Sequence, residues 1–245
     1  TRLPERLARF FRHDWPAAAQ GLWRETLVSF VLSAVSTVVA YVLVRRDADW
    51  FYSFVDAGLA SGRDPLATTA SLRQTLYDKP HSAAEGLSAL ASFLFTNNAQ
   101  VAIFAFALGF MFCLPTAALM VMNGVMLGAF LALFVSRGLG VEATGWLMIH
   151  GTTELFAIVL AGGAGFSIGW AVAFPGERTR VDAAAWAGRR AATLMAGVVV
   201  MLLVAAFLEG FGRQLIQVDL ARYGVAVAML VGWLSYLYWP RRGRA

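Results

Sequence analysis

The sequence predicts an all-α fold: a polytopic helical membrane protein of about six transmembrane helices, with an N-terminal interfacial amphipathic helix and an extracytoplasmic helical cap. Three observations point there. Of 245 residues, 59% are hydrophobic and 14% charged, against roughly 45–50% and ~25% in soluble domains. Mean hydropathy is +0.63. A soluble globule of this size lacks the interior to hide that much apolar side chain, so the excess faces lipid. The net charge of +5 is carried by arginines beside apolar runs, which orient spans rather than bind nucleic acid. These facts exclude a soluble enzyme, a nucleic-acid module and a disordered tail. The single cysteine, Cys113, excludes an internal disulfide and a cysteine metal cluster.

Residues 1–25 read as the amphipathic interfacial segment. Leu3, Leu7, Phe10, Phe11, Trp15, Leu22 and Trp23 alternate with Arg2, Arg6, Arg9, Arg12 and Arg24, and Pro16 breaks the helix. Basic and aromatic faces together suit an anionic lipid interface. Charges and aromatics precede the first apolar run, which is not the pattern of a signal peptide.

The first span covers 26–44 and stops at Arg45-Arg46-Asp47. Nineteen residues cover a ~30 Å hydrocarbon core at about 1.5 Å per residue. Residues 45–97 form the predicted cap. Asp64-Pro65 signals a turn or helix start and Lys79-Pro80 a break. Leu66, Leu72, Leu76 and Tyr77 recur at near-helical spacing, as do Leu87, Leu90 and Phe93-Leu94. Trp50, Phe51, Tyr52 and Phe54 need cover.

Residues 98–239 form a five-span bundle. Two spans run over 98–114 and 116–136 with a tight turn at Pro115. The next runs from 145 to 174, with a kink or tilt at Gly162-Gly163-Ala164-Gly165. Spans over 191–209 and 223–239 follow, and 240–245 is a basic cytoplasmic tail. With six spans, Arg2, Arg6, Arg9, Arg12, Arg24, Arg178, Arg180, Arg189, Arg190, Arg241, Arg242 and Arg244 fall on one face. The opposite short loops carry Arg137, Arg213 and Arg222. Both termini therefore face the cytoplasm of a bacterial inner membrane and 45–97 faces out.

Ionisable groups inside spans cost roughly 2.5–3.5 kcal/mol at a helix centre and are functional candidates by default. His150 and Glu154 are four residues apart and share a helical face. Counted from residue 145, they lie about 8 and 14 Å deep. Glu209, Asn97 and Asn98 also sit at outer span ends, so Asn97, Asn98, His150, Glu154 and Glu209 make a candidate polar pocket opening outward. Asn123 falls nearer the inner side and stays apart. A divalent metal such as zinc is the one cofactor this suggests, with His150, Glu154 and Glu209 as ligands and an open position for water. A carboxylate–imidazole relay in a transporter is another reading. A third reading is a buried polar network locking helices together, since intramembrane polar groups commonly serve as interhelix bonds. Asn123, Gly124, Gly162, Gly163 and Gly165 mark either close helix packing, the favoured reading, or a broken helix at a substrate site.

Read in order, the chain carries Thr96-Asn97-Asn98-Ala99-Gln100, Met122-Asn123-Gly124, Ile149-His150-Gly151-Thr152-Thr153-Glu154-Leu155, Ala161-Gly162-Gly163-Ala164-Gly165 and Leu208-Glu209-Gly210-Phe211. This series resembles the stage II sporulation protein M family of bacterial integral membrane proteins over nearly the whole chain. The resemblance implies an inner-membrane protein. In spore formers such a protein works with stage II sporulation proteins D and P, which degrade peptidoglycan, and acts as their membrane anchor and organiser. The expected partners are the lipid bilayer, other membrane or cell-envelope proteins and a second copy of the chain. Two functions follow: a non-enzymatic organiser, or a transporter or metal-dependent membrane enzyme using the outer pocket.

Overall fold

The computed structural model describes residues 3–77, 97–212, 216 and 218–240. Every element among them is helical. Five helices are long and apolar enough to cross a membrane: α3 (Trp23–Arg46), α8 (Leu114–Ser136), α9 (Gly140–Ala173), α10 (Arg180–Phe207) and α11 (Asp219–Tyr238). The expected span over 98–114 is represented by α7 (Asn97–Ala107), extended by a 3-10 turn to Phe110. That apolar helix falls below the length of the other five. The chain reverses before Pro115, because Phe112 and Cys113 adopt φ of 56° and 66°. Pro115 then sits in the first turn of α8, where its missing N–H costs nothing.

Helix α9 is the axis of the bundle, with α3, α7, α8, α10 and α11 all packed against it. It has 34 residues, about 51 Å at 1.5 Å per residue, well beyond a ~30 Å hydrocarbon core. The glycine run does not break it. Gly162 and Gly163 face Ser29 and Thr26 of α3, and Gly165 meets the Ala105 carbonyl of α7. A side chain at Gly165 would collide with that carbonyl, so these glycines set interhelix distance. Gly124 and Gly128 of α8 do the same against Ser36 and Thr37 of α3. The hydroxyls there are satisfied locally: Ser36 donates to Leu32 O at 2.7 Å and Thr37 to Ser33 O at 2.7 Å. Two polar residues thus present a small surface without an unmet bond.

Contacts give the directions. Ser29 meets Met120, Ser36 meets Gly124 and Thr37 meets Gly128, so α3 and α8 run parallel. Gly162 meets Met120 and Gly165 meets Thr116, so α9 runs against α8. Asn98 meets Glu154 and Ala105 meets Gly165, so α7 runs with α9. The α8–α9 link turns on Gly138 at φ 71°. Helix α10 starts well before residue 191 because Thr179 caps it, its hydroxyl accepting from Asp182 N at 3.1 Å.

The N-terminal segment is built partly into the bundle. Short helices α1 (Leu3–Arg9) and α2 (Trp15–Gly21) are joined by a π-helical stretch, Phe10–Asp14. Pro16 does not interrupt: it occupies the first turn of α2. Only α1 is exposed throughout, whereas Trp15, Ala19 and Leu22 are core residues. Trp15 is 1% exposed, lying against Trp233 and Tyr236 of α11 with ring centroids 5.8 and 5.2 Å away. Gln20 donates to Leu237 O at 2.8 Å. Residues near both ends of the chain therefore meet at one end of the bundle.

At the other end, α4 (Trp50–Phe54), α5 (Ala57–Ala60) and α6 (Thr69–Tyr77) lie over α8 and α9. Phe51, Leu72 and Leu76 are fully buried with Leu133 and Leu139, while Trp50 and Tyr52 keep much of their surface. The Asp64-Pro65 turn is present: the Asp64 carboxylate accepts from Leu66 N and Ala67 N. Arg137 of the α8–α9 link donates to Pro65 O at 2.5 Å, and Arg73 pairs with Glu142 at 3.4 Å. Arg222, 0% exposed, stacks on Tyr77 at 5.1 Å and donates to Ile216 O and Asp219. Burial, reinforced by the Asp219 charge, pushes the Tyr77 phenol up. Lys79-Pro80, Leu87, Leu90, Phe93-Leu94, Arg213 and the arginines at 241, 242 and 244 lie outside the described residues.

Candidate functional site

The polar residues of α7, α8 and α9 meet where these helices pack. His150 and Glu154 follow one another on the buried face of α9 and are each 4% exposed. His150 Nε2 stands 4.0 Å from Glu154 Oε2. The Asn98 amide donates to Glu154 Oε1. The Trp146 ring, one turn before His150, meets the imidazole edge-on at 5.9 Å. Glu209 lies in the π-helical turn Leu208–Gly212 that ends α10 and packs against α9. Such π-turns are rare and recur at functional sites. Asn97 begins α7, and its side chain is outside the described set.

A cavity of about 170 Å³ opens among these helices. Glu154, Asn98, Asn123 and Arg63 bring polar groups to it, and Phe130, Phe134, Trp146, Met126, Ala143 and several leucines complete the wall. Asn123 thus joins the site, against the sequence expectation that it stays apart. The register explains why. Gly162 faces Met120 across antiparallel helices, so Glu154 stands near the level of Gly128. Asn123 is then only about 7 Å deeper at 1.5 Å per residue, within reach of one cavity.

Arg63 was not legible as a site residue. It lies in a loop of mixed charge, and nothing in its spacing marks it. Its position comes from a tight reversal in which Ser61 and Gly62 adopt φ of 47° and 77°. Gly62 suits that conformation because it has no Cβ. The guanidinium donates to Ala60 O and Leu59 O and lies 5.3 Å from the Phe130 ring centroid. The signal that could have pointed to it is Gly62 itself, a turn residue beside a charged one.

Among the described residues, no group of three or more His, Cys, Asp or Glu is disposed to hold a metal ion. His150 and Glu154 are adjacent, but Glu154 is engaged by Asn98.

The stage II sporulation protein M family model matches residues 29–212, three quarters of the chain. The chain belongs to the stage II sporulation protein M family. Asn98, Asn123, His150, Glu154 and Glu209 all lie inside the matched stretch, as does Arg63. The Trp15 anchor and helix α11 lie outside it. No curated protein and no solved structure matches the chain.

Proposed function

We propose that this member of the stage II sporulation protein M family anchors and organises a cell-envelope complex of the peptidoglycan-remodelling type in the bacterial cytoplasmic membrane. Both termini are cytoplasmic in this reading, and 45–97 is an extracytoplasmic cap, as the arginine distribution favours. The observation that carries the proposal is the seating of the cap. Phe51, Leu72 and Leu76 are locked into the bundle, while Leu59 and Leu66 remain 44% and 86% exposed. A surface held rigidly to spanning helices can position a partner relative to the membrane. Photo-crosslinking from Leu66 in native membranes tests this, with Val231 on the outer face of α11 as control. Capture of envelope proteins from position 66 and not from 231 supports the organiser. Equal capture from both, or none from 66, rejects it.

The second reading is a transporter or membrane enzyme using the outer pocket. The cavity reaching Glu154 favours it, since a scaffold has little need for a carboxyl group in lipid. Glu154→Gln with normal folded yield and lost cellular function supports this reading. Unchanged function at normal yield rejects it.

A further inference from the structure

We propose that the cavity is a binding site for a small zwitterion: a primary ammonium group joined by a short aliphatic stem to a carboxylate or phosphate. This deepens the pocket reading, on which it rests, and is independent of the organiser.

The polar groups lining the cavity differ in kind and in level. Asn123 supplies an amide at its deep end, and Glu154 and Asn98 supply a carboxyl and a second amide nearer the level of Gly128. An ammonium group has three donors and no acceptor, and these side chains offer oxygens to receive them. Toward the end bearing α4 to α6, Arg63 supplies a guanidinium beside Phe130. Guanidinium matches carboxylate and phosphate in charge and in planar, forked geometry. Between them the wall is apolar and aromatic, with Phe130 and Trp146 facing the space.

A purely cationic ligand would share the cavity with the Arg63 charge, and a purely anionic one with the Glu154 carboxyl. A molecule carrying both charges meets a partner for each. Along α8 the rise to Phe130 is about 10 Å from Asn123 and about 3 Å from the level of Gly128, where Glu154 stands, and these bound the length. The volume of about 170 Å³ holds a stem of several methylenes but not a lipid or a peptide.

The probe is 6-aminohexanoate, titrated calorimetrically into the detergent-solubilised full chain, with hexylamine and hexanoate in parallel. Saturable binding of 6-aminohexanoate at least tenfold tighter than either control, weakened at least tenfold by both Glu154→Gln and Arg63→Gln, is the expected result. Thermal melting verifies that each variant is folded. If Glu154→Gln fails to fold, Arg63→Gln decides, because its side chain joins from a surface loop. Hexylamine binding as tightly as 6-aminohexanoate and depending only on Glu154 overturns the zwitterion while leaving a pocket in place. Absence of saturable binding, or binding that ignores both substitutions, overturns the assignment. The pocket reading itself stands or falls separately, on cellular function of Glu154→Gln at normal yield.

Discussion

The Asn98 amide on α7 donates to the Glu154 carboxyl on α9, and this bond ties two parallel helices inside the apolar bundle. Its loss leaves a buried acceptor without that donor. Asn98→Ala is expected to cost about 1–2 kcal/mol, in the range of interhelix bonds in membranes and of unmet buried acceptors. The detergent melting temperature drops accordingly. Glu154→Gln keeps an amide oxygen for Asn98 and loses less. An Asn98→Ala protein that melts like wild type would show the tie to be structurally idle.

Close packing at Gly165 makes a sharper prediction. A methyl group there meets the Ala105 carbonyl and the Thr116 hydroxyl. Gly165→Ala is therefore overpacked, a change that costs about 1–3 kcal/mol in well-packed interiors. Gly188 on α10 has open space where its Cβ would lie, so Gly188→Ala stabilises slightly or changes nothing. Paired thermal melts of the two variants provide the comparison.

The same reasoning applies where Trp15 crosses α10. The indole occupies the space over Gly197, and a Cβ at Gly197 would overlap it. Gly197→Ala should expel Trp15 from the core and shift its fluorescence toward that of solvent-exposed tryptophan. Trp15→Ala should lower stability by about 3 kcal/mol. Retention of buried-tryptophan emission in Gly197→Ala, after subtraction of the Trp15→Phe spectrum, would contradict the packing.

Arg222 couples the α4–α6 layer to α11 through Tyr77, Ile216 and Asp219. Removing a buried guanidinium leaves those acceptors behind. Arg222→Met should raise amide hydrogen exchange in Thr69–Tyr77 and leave the exchange of α3 unchanged. Uniform exchange changes across the chain would point to global destabilisation instead.

Cys113 reports on topology. Burial pushes its thiol up, and the thiolate is the reactive form. Maleimide labelling at pH 7 should be slower than for a free thiol and should accelerate at higher pH than a free thiol requires. In the proposed orientation the reagent must reach the cytoplasmic side. Fast labelling of intact cells by an impermeant maleimide would reverse that orientation.

Much of the fold was written locally. Apolar runs of span length, arginines at their ends and the Asp64-Pro65 turn depend on neighbours in sequence, so hydropathy and turn chemistry suffice to place them. The pairing of His150 with Glu154 was equally legible, because four residues on a helix is a local relationship. The glycines at 124, 162, 163 and 165 were legible as small surfaces, but which helix each would meet was not. Residue 112 and residue 113 turn the chain with positive φ although neither is glycine. Their side chains carry no turn signal, which is why the α7–α8 hairpin closes earlier than Pro115 suggests.

The amino-acid sequence by itself determined that this chain is helical, that it lives in a membrane and that His150, Glu154, Asn98 and Glu209 stand out against lipid. It did so because the cost of exposing polar groups to hydrocarbon acts on every residue regardless of its partners. Tertiary structure alone decided that Asn123 and Arg63 share a cavity with Glu154, and that Trp15 is buried in the core. Those outcomes depend on the register of antiparallel helices set by glycine contacts, and on a loop and a terminal helix folding back over the bundle. Such distances are set between elements, and no periodicity within one element encodes them.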